Sequence, residues 1–226
     1  MSAHIQPKGK TMTRMVKIDF VSDVSCPWCI IGLRALEMAL DRARDVVGAD
    51  ITFQPFELNP HMPPEGQNIV EHVAQKYGSS PEQSATSRAM IRDRAAELGF
   101  TINGDAQSRI YNTFDAHRLL HWAEQQRCQA ALKEALFTAY FTDRRDPSDH
   151  KVLSDVAASI GLDRAEAETI LASDRFDTEV RTAEQLWQSR GIQAVPAIVI
   201  DGKYLISGGQ PPELFEQALR EIAATN

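Results

Sequence analysis

The chain has 226 residues, 43% of them hydrophobic and 24% charged, a globular composition with ample length for a buried core. Its formal net charge is −7 and its pI is near 5.4. With no Lys/Arg-rich run, that balance argues against a general affinity for nucleic acid, and no apolar stretch approaches the ~20 residues of a membrane-spanning helix.

The first fourteen residues are polar and carry Lys8, Lys10 and Arg14. They lack the apolar core of a signal peptide and read as a disordered extension, with Met12 or Met15 as an alternative start. The expectation is a cytoplasmic, reducing location. Three cysteines, Cys26, Cys29 and Cys128, make no disulfide framework, so a lone C-x-x-C points to redox or metal chemistry.

Val16, Ile18 and Phe20 alternate with Lys17 and Asp19 as in a strand. Cys26-Pro27-Trp28-Cys29 follows, and a helix with the stripe Leu33, Leu36, Leu40, Ala43 and Val47 runs to Gly48. A second strand is expected over residues 51–56, completing a β-α-β unit with a right-handed parallel crossover. Residues 59–64, Asn-Pro-His-Met-Pro-Pro, read as a linker.

Residues 69–188 carry helical patterns almost throughout. Ser80-Pro81-Glu82-Gln83 is a helix start with cap, first-turn proline and Gln three residues on, and that helix should stop near Gly99. Further helices are expected over residues 110–126, 129–141, 149–160 (closed by Gly161), 164–172 and 176–189. The residues 197–200, Asp201-Gly202 and 203–207 form a hairpin pattern. A last helix carries Leu214, Ala218, Leu219 and Ile222 on one face.

Two thiols three residues apart at a helix start lie about one turn apart, and a helix N-terminus favours negative sulfur on the first. The rival reading is half a zinc site. A closed site needs four ligands, and only one C-x-x-C exists. His117 and His121 share a helical face, but their distance from the dithiol far exceeds a zinc finger's. The expectation is therefore no metal.

The dithiol in a β-α-β unit, the returning β-β-α and Val195-Pro196 before the hairpin resemble a thioredoxin-like α/β fold. A large all-helical domain stands between the second strand and the proline strand, as in the DsbA family. The chain is similar in particular to the FrnE-like branch. The matching pieces are Asp23-Val24-Ser25-Cys26-Pro27-Trp28-Cys29-Ile30-Ile31-Gly32, Phe56-Glu57-Leu58-Asn59-Pro60, Asn112 to Leu119, Ala135 to Phe141, Gly191 to Pro196 and Gly208-Gly209-Gln210. The division this implies is residues 15–60 and 189–226 as the two parts of a thioredoxin-like domain, with residues 61–188 as the inserted helical domain.

That resemblance implies a cytoplasmic thiol–disulfide oxidoreductase that reduces, isomerises or forms disulfides. Cys26 attacks, Cys29 resolves, and the pair cycles through a Cys26–Cys29 disulfide. Pro196, as a cis-proline, would bring the Val195 backbone beside Cys26 to pair with extended substrate; the bland alternative is a proline that opens a strand. Trp28 either offers apolar surface to substrate or packs against the helical domain. Asn112, His117 and Arg118 either line the cleft over the dithiol or serve helix packing. Asp23 reads as a turn cap or a proton-transfer group.

Thiol or disulfide substrates, protein or small molecule, are the implied partners. No bound cofactor is expected, with glutathione as a redox partner, and the oligomeric state stays open, a homodimer included. A glutathione-dependent transferase or isomerase of the kappa-class type is the alternative, and a metal-binding or chaperone-like module the third. Relatives of the kappa type generally carry Ser at the first cysteine, which counts against them. Cys128 reads as an inert buried thiol.

Overall fold

A computed structural model describes residues 13–225. Of the expected disordered extension, residues 1–12 lie outside the described residues. Arg14 does not belong to it: it opens the first strand, held by its N–H on Val46 O (2.8 Å) and an ion pair with Asp201 (3.0 Å).

The main sheet runs β2-β1-β5-β6. β1 (Arg14–Ser22) is central, with β2 (Val47–Pro55) parallel on one side and β5 (Ala197–Ile200) antiparallel on the other. β6 (Tyr204–Ser207) pairs antiparallel with β5 at the edge. Alternation sends Val16, Ile18 and Phe20 to one face, where they share a core with Ile198 and Ile200, with Leu33 and Leu36 of α1 (Pro27–Arg42), and with Phe215 and Leu219 of α9 (Pro212–Ala224). On the opposite face Val21 and Ala197 pack with Phe56, Ile192 and Trp187 of α8 (Asp177–Ser189). This is the thioredoxin-like arrangement with a helical insertion.

In the chain, between β2 and β5, come α2 (Ile69–Tyr77), α3 (Pro81–Glu97), α4 (Phe114–Gln125), α5 (Gln129–Phe137), α6 (His150–Ser159) and α7 (Arg164–Leu171), followed by α8. α3 begins as its sequence dictates: the Ser80 and Gln83 side chains cap each other's backbone N–H groups, and Pro81 needs no partner. α5 runs directly into a π-helical turn, Thr138–Thr142. The hairpin turn places Asp201 and Gly202 at positive φ (51° and 66°), with Lys203 N–H donating to Ile200 O at 3.0 Å.

Four details depart from the sequence reading. β2 starts at Val47, because strand pairing with β1 begins there (Arg14 opposite Val47) and claims the residues assigned to the helix end. A two-residue ribbon, β3 (Gln67–Asn68) with β4 (Arg109–Ile110), interrupts the helical stretch; α4 accordingly starts at Phe114 and not at Ile110. On α9 the buried stripe is Pro212, Phe215, Leu219 and Ile222, while Leu214 is exposed. Cys128 is half-buried at the start of α5.

Candidate active site

β1 ends at Ser22, and a short turn leads into α1. Cys26 N–H donates to Asp23 O (3.2 Å), and Cys26 takes the N-cap position of the helix with extended backbone. Side-chain oxygens ordinarily serve the first-turn N–H groups from this position. No side chain does so here, so the Cys26 sulfur stands at a helix start that no side chain caps. Pro27 fills the first helical position, where its missing N–H costs nothing. Cys29 follows one turn in, completely buried, with its N–H on Cys26 O at 3.0 Å.

The opposite wall is the segment before β5. The Val195–Pro196 peptide bond is cis, and Val195 O lies 3.6 Å from Cys26 Sγ as acceptor of its thiol. Glycine makes the approach feasible. A Cβ on Gly32 would meet Pro196 Cγ at 3.1 Å and Gly209 Cα at 3.3 Å, and one on Gly209 would meet Trp28 O at 2.9 Å. Gly208 closes the same corner, its N–H on Pro196 O at 2.8 Å. Trp28 is half-buried, its ring against Gly209 at the turn before α9 and against the core of the sheet.

Behind the dithiol lies a buried group of charges. Asp23 is fully buried, with Oδ1 accepting from Ser25 N–H (3.1 Å) and Oδ2 from Leu58 N–H (2.7 Å). Burial alone would raise its carboxyl. His117, with Nε2 at 3.7 Å, and the two N–H groups outweigh that and hold it below the usual carboxylate value. Burial pushes the Cys29 thiol well up, and the Cys26 thiol beside it pushes further, against the opposing pull of Lys133. Lys133, on α5, is also fully buried; its Nζ has no hydrogen-bond partner and lies 5.0 Å and 6.0 Å from the ring centres of Phe137 and Phe53. Burial lowers it to about 8, although Cys29, Asp23 and Cys26 all favour its charged form.

The structure gathers Cys26, Cys29, Val195, Pro196 and Trp28 at one corner. His117 stands behind them, buried next to Asp23. Asn112 is one residue group further out, donating to Glu57 (3.1 Å) while its carbonyl caps Phe114 N–H at the α4 start. Arg118 is directed elsewhere. Its guanidinium is bound to the carbonyls of Ile170, Ser173 and Arg175 and to Asp115, tying α4 to the end of α7. The segment Phe56 to Pro60 braces this group: Leu58 N–H donates to Asp23, while buried Glu57 pairs with Arg181, which also holds Glu184 at 2.8 Å.

Lys133 was not legible as a site residue, yet the signal existed. Gln129, Leu132, Lys133, Leu136 and Phe137 share one helical face, so the lysine falls within an apolar stripe. Among the described residues no cluster of three or more His, Cys, Asp or Glu side chains is arranged to hold a metal ion.

An exchangeable dithiol at the first helix of such a sheet, faced by an X–Pro carbonyl, defines a thiol–disulfide exchange enzyme. The chain belongs to the DSBA-like thioredoxin domain family, whose model matches residues 17–220. It is similar to a probable DsbA oxidoreductase from Streptomyces coelicolor, at 32% identity and TM-score 0.88 over 93% of this chain and 91% of that one. It is also similar to the thiol:disulfide interchange protein DsbA of Bordetella parapertussis, 27% identical over 158 residues, 68% of this chain and 74% of the relative. The cytosolic disulfide reductase DsbM from Pseudomonas aeruginosa shares the fold, with 17% identity and TM-score 0.64 over 91% and 98% of the two chains.

Proposed function

We propose that this enzyme works in the cytoplasm, that Cys26 attacks and Cys29 resolves, and that its task is to reduce or isomerise disulfides with glutathione as electron partner and no bound cofactor. The observation that carries the reading is the Cys26 sulfur at the α1 N-cap, 3.6 Å from Val195 O. Both cysteines are buried, Cys26 at 4% exposure on the helix start and Cys29 at 0% one turn in, and the less enclosed of the two is the one assigned the attack. A reducing compartment holds such a pair as the dithiol unless its potential is low, and DsbM from Pseudomonas aeruginosa, a cytosolic disulfide reductase that shares the fold, supports the same direction. No helix among the described residues is long and apolar enough to cross a membrane.

In the reducing direction the Cys26 thiolate attacks one sulfur of a substrate disulfide and expels the other as thiolate. Cys29 then loses its proton and attacks Cys26, releasing the second substrate thiolate and leaving the Cys26–Cys29 disulfide. Two electrons pass to the substrate, and two glutathione molecules restore the dithiol. Burial opposes charge on Cys29, and the Lys133 cation, with a backbone hydrogen bond from the Asp23 segment, favours the negative charge that develops there.

The test is turnover of a reducible protein disulfide with glutathione as reductant. Cys26→Ser should lower the rate to that of glutathione alone, and Cys29→Ser should accumulate mixed disulfides seen on non-reducing gels. Undiminished turnover in Cys26→Ser, or no adduct in Cys29→Ser, would sink the assignment. A Cys26–Cys29 potential far above the glutathione couple would instead make the enzyme an oxidant.

A further inference from the structure

Beside the dithiol, between α3, the β3–β4 ribbon and the π-helical turn after α5, lies a cavity of about 210 Å³. Ser25 and Pro27, the residues on either side of Cys26, form part of its wall. Most of the remainder is apolar, with Tyr111 and Tyr140 among the isoleucines and Phe141. Four arginines also line it, Arg88, Arg92, Arg109 and Arg144, and no Asp or Glu does. That is a marked local reversal in a chain of net charge −7.

The arginines are not consumed by internal ion pairs. Arg144 alone has a carboxylate partner, Asp105 at 2.8 Å. Arg109 donates to the carbonyls of Glu65 and Gly66, both at 3.0 Å, and Arg88 to Ser84 Oγ. Arg92 has one long contact, Gly104 O at 3.4 Å. None of Arg88, Arg92 and Arg109 pairs with a carboxylate among the described residues. Arg88 and Arg92 are spaced i, i+4 with Ile91 between them, so α3 turns two guanidinium groups and one apolar side chain to the same cavity.

A cavity of roughly 150 Å³ accommodates benzene, so this one has room for a one-ring body but not for a folded protein. Guanidinium groups recognise carboxylates by paired, charge-assisted hydrogen bonds. We propose that the cavity is an anion-selective substrate pocket. It takes the carboxylate-bearing, apolar remainder of a small disulfide while one substrate sulfur reacts at Cys26, and Arg88 and Arg92 are specificity-determining residues. The inference rests on the redox reading of the dithiol and adds the chemical class of the substrate.

The reaction is balanced as before. Cys26 forms a mixed disulfide with one half of the substrate and expels the other as thiolate. Cys29 displaces the second thiolate, and dithiothreitol returns the two electrons to the enzyme in the assay.

The experiment compares para-dithiodibenzoate with its neutral bis-amide, each enzymatic rate divided by the rate of dithiothreitol alone on the same compound. Wild-type kcat/KM should favour the dianion about tenfold or more, and raising the salt should shrink the preference. Arg88→Gln and Arg92→Gln should each cut the dianion-to-amide ratio by about three- to tenfold. The ratio is internal to each variant, so a poorly folded one is recognised by loss of both rates, and the wild-type ratio with its salt dependence still decides. Equal wild-type rates for the two compounds would overturn the anion pocket and leave the dithiol chemistry standing. Failure to turn over either compound, or a protein disulfide, would overturn the redox reading and this inference with it.

Discussion

A fully buried lysine with no hydrogen-bond partner, set over the rings of Phe137 and Phe53, is costly to keep. Burial lowers Lys133 from the ordinary lysine value of about 10.4 to about 8, so between those values the unfolded chain holds a proton that the folded chain has released. Stability therefore rises with pH through that window, and the cost is fully present below about pH 8. Lys133→Met should stabilise the protein at pH 7 by on the order of 2–3 kcal/mol and flatten the alkaline rise. Urea unfolding at pH 7 and across the alkaline window measures both, and a variant less stable at pH 7 would contradict the argument. The same variant should resolve more slowly and accumulate Cys26 mixed disulfides, since the positive charge that favours the Cys29 thiolate is gone. At this scale the sequence was unevenly legible. Cys26, Cys29, Val195 and Pro196 stand out because their chemistry is written in short spacings. Lys133, Glu57 and Glu184 take their significance from neighbours far away in the chain. Arg118 came with the family-like stretch from Asn112 to Leu119, and its bonds to the carbonyls of Ile170, Ser173 and Arg175 match the packing alternative of that reading.

Elements meet at this corner through glycine. At Gly209 a methyl group would stand 2.9 Å from Trp28 O and 3.3 Å from Trp28 Cε3, and a backbone oxygen in the first turn of α1 cannot swing aside. Gly209→Ala should cost on the order of 1–3 kcal/mol and displace the helix start that carries Cys26. A urea midpoint unchanged from wild type would show that the contact yields freely. The opposite edge of the sheet is closed by a side chain: Gln129 of α5 accepts from Phe53 N–H and donates to Phe53 O, both at 2.9 Å, so its amide extends the β2 edge and covers it. Caps and hairpin were plain in the sequence because their signals are local, as with Ser80–Gln83 and Asp201-Gly202. The start of β2 and the β3–β4 ribbon were not, because pairing with distant partners decided them.

Across the whole molecule the insertion and the sheet share one interior. Ala95, Phe100, Phe137 and Phe141 come from the helical stretch, yet they join the cluster that contains Phe20, Leu36 and Phe215. We expect a single cooperative unfolding transition, with tryptophan fluorescence and far-UV circular dichroism coinciding in urea; two separated transitions would mean that insertion and sheet fold independently. The alternation of strand and helix patterns announced the architecture, while the depth of this contact was not readable from periodicity, which marks an apolar face without naming what covers it.

The central position of β1 also sets a timetable for the ribosome. Its β2 neighbour is only a few dozen residues downstream, but Ile18 faces Ile200 across β5. At about 5–20 residues per second, translation delivers that second neighbour roughly 10–35 s after β1 has been made. Through that interval the nascent chain carries both cysteines but lacks the Val195 wall and the Gly209 corner. The dithiol is thus assembled as an enzyme only after Val195 and Gly209 have been made, and the nascent chain is until then exposed to the same thiol exchange that the folded protein carries out.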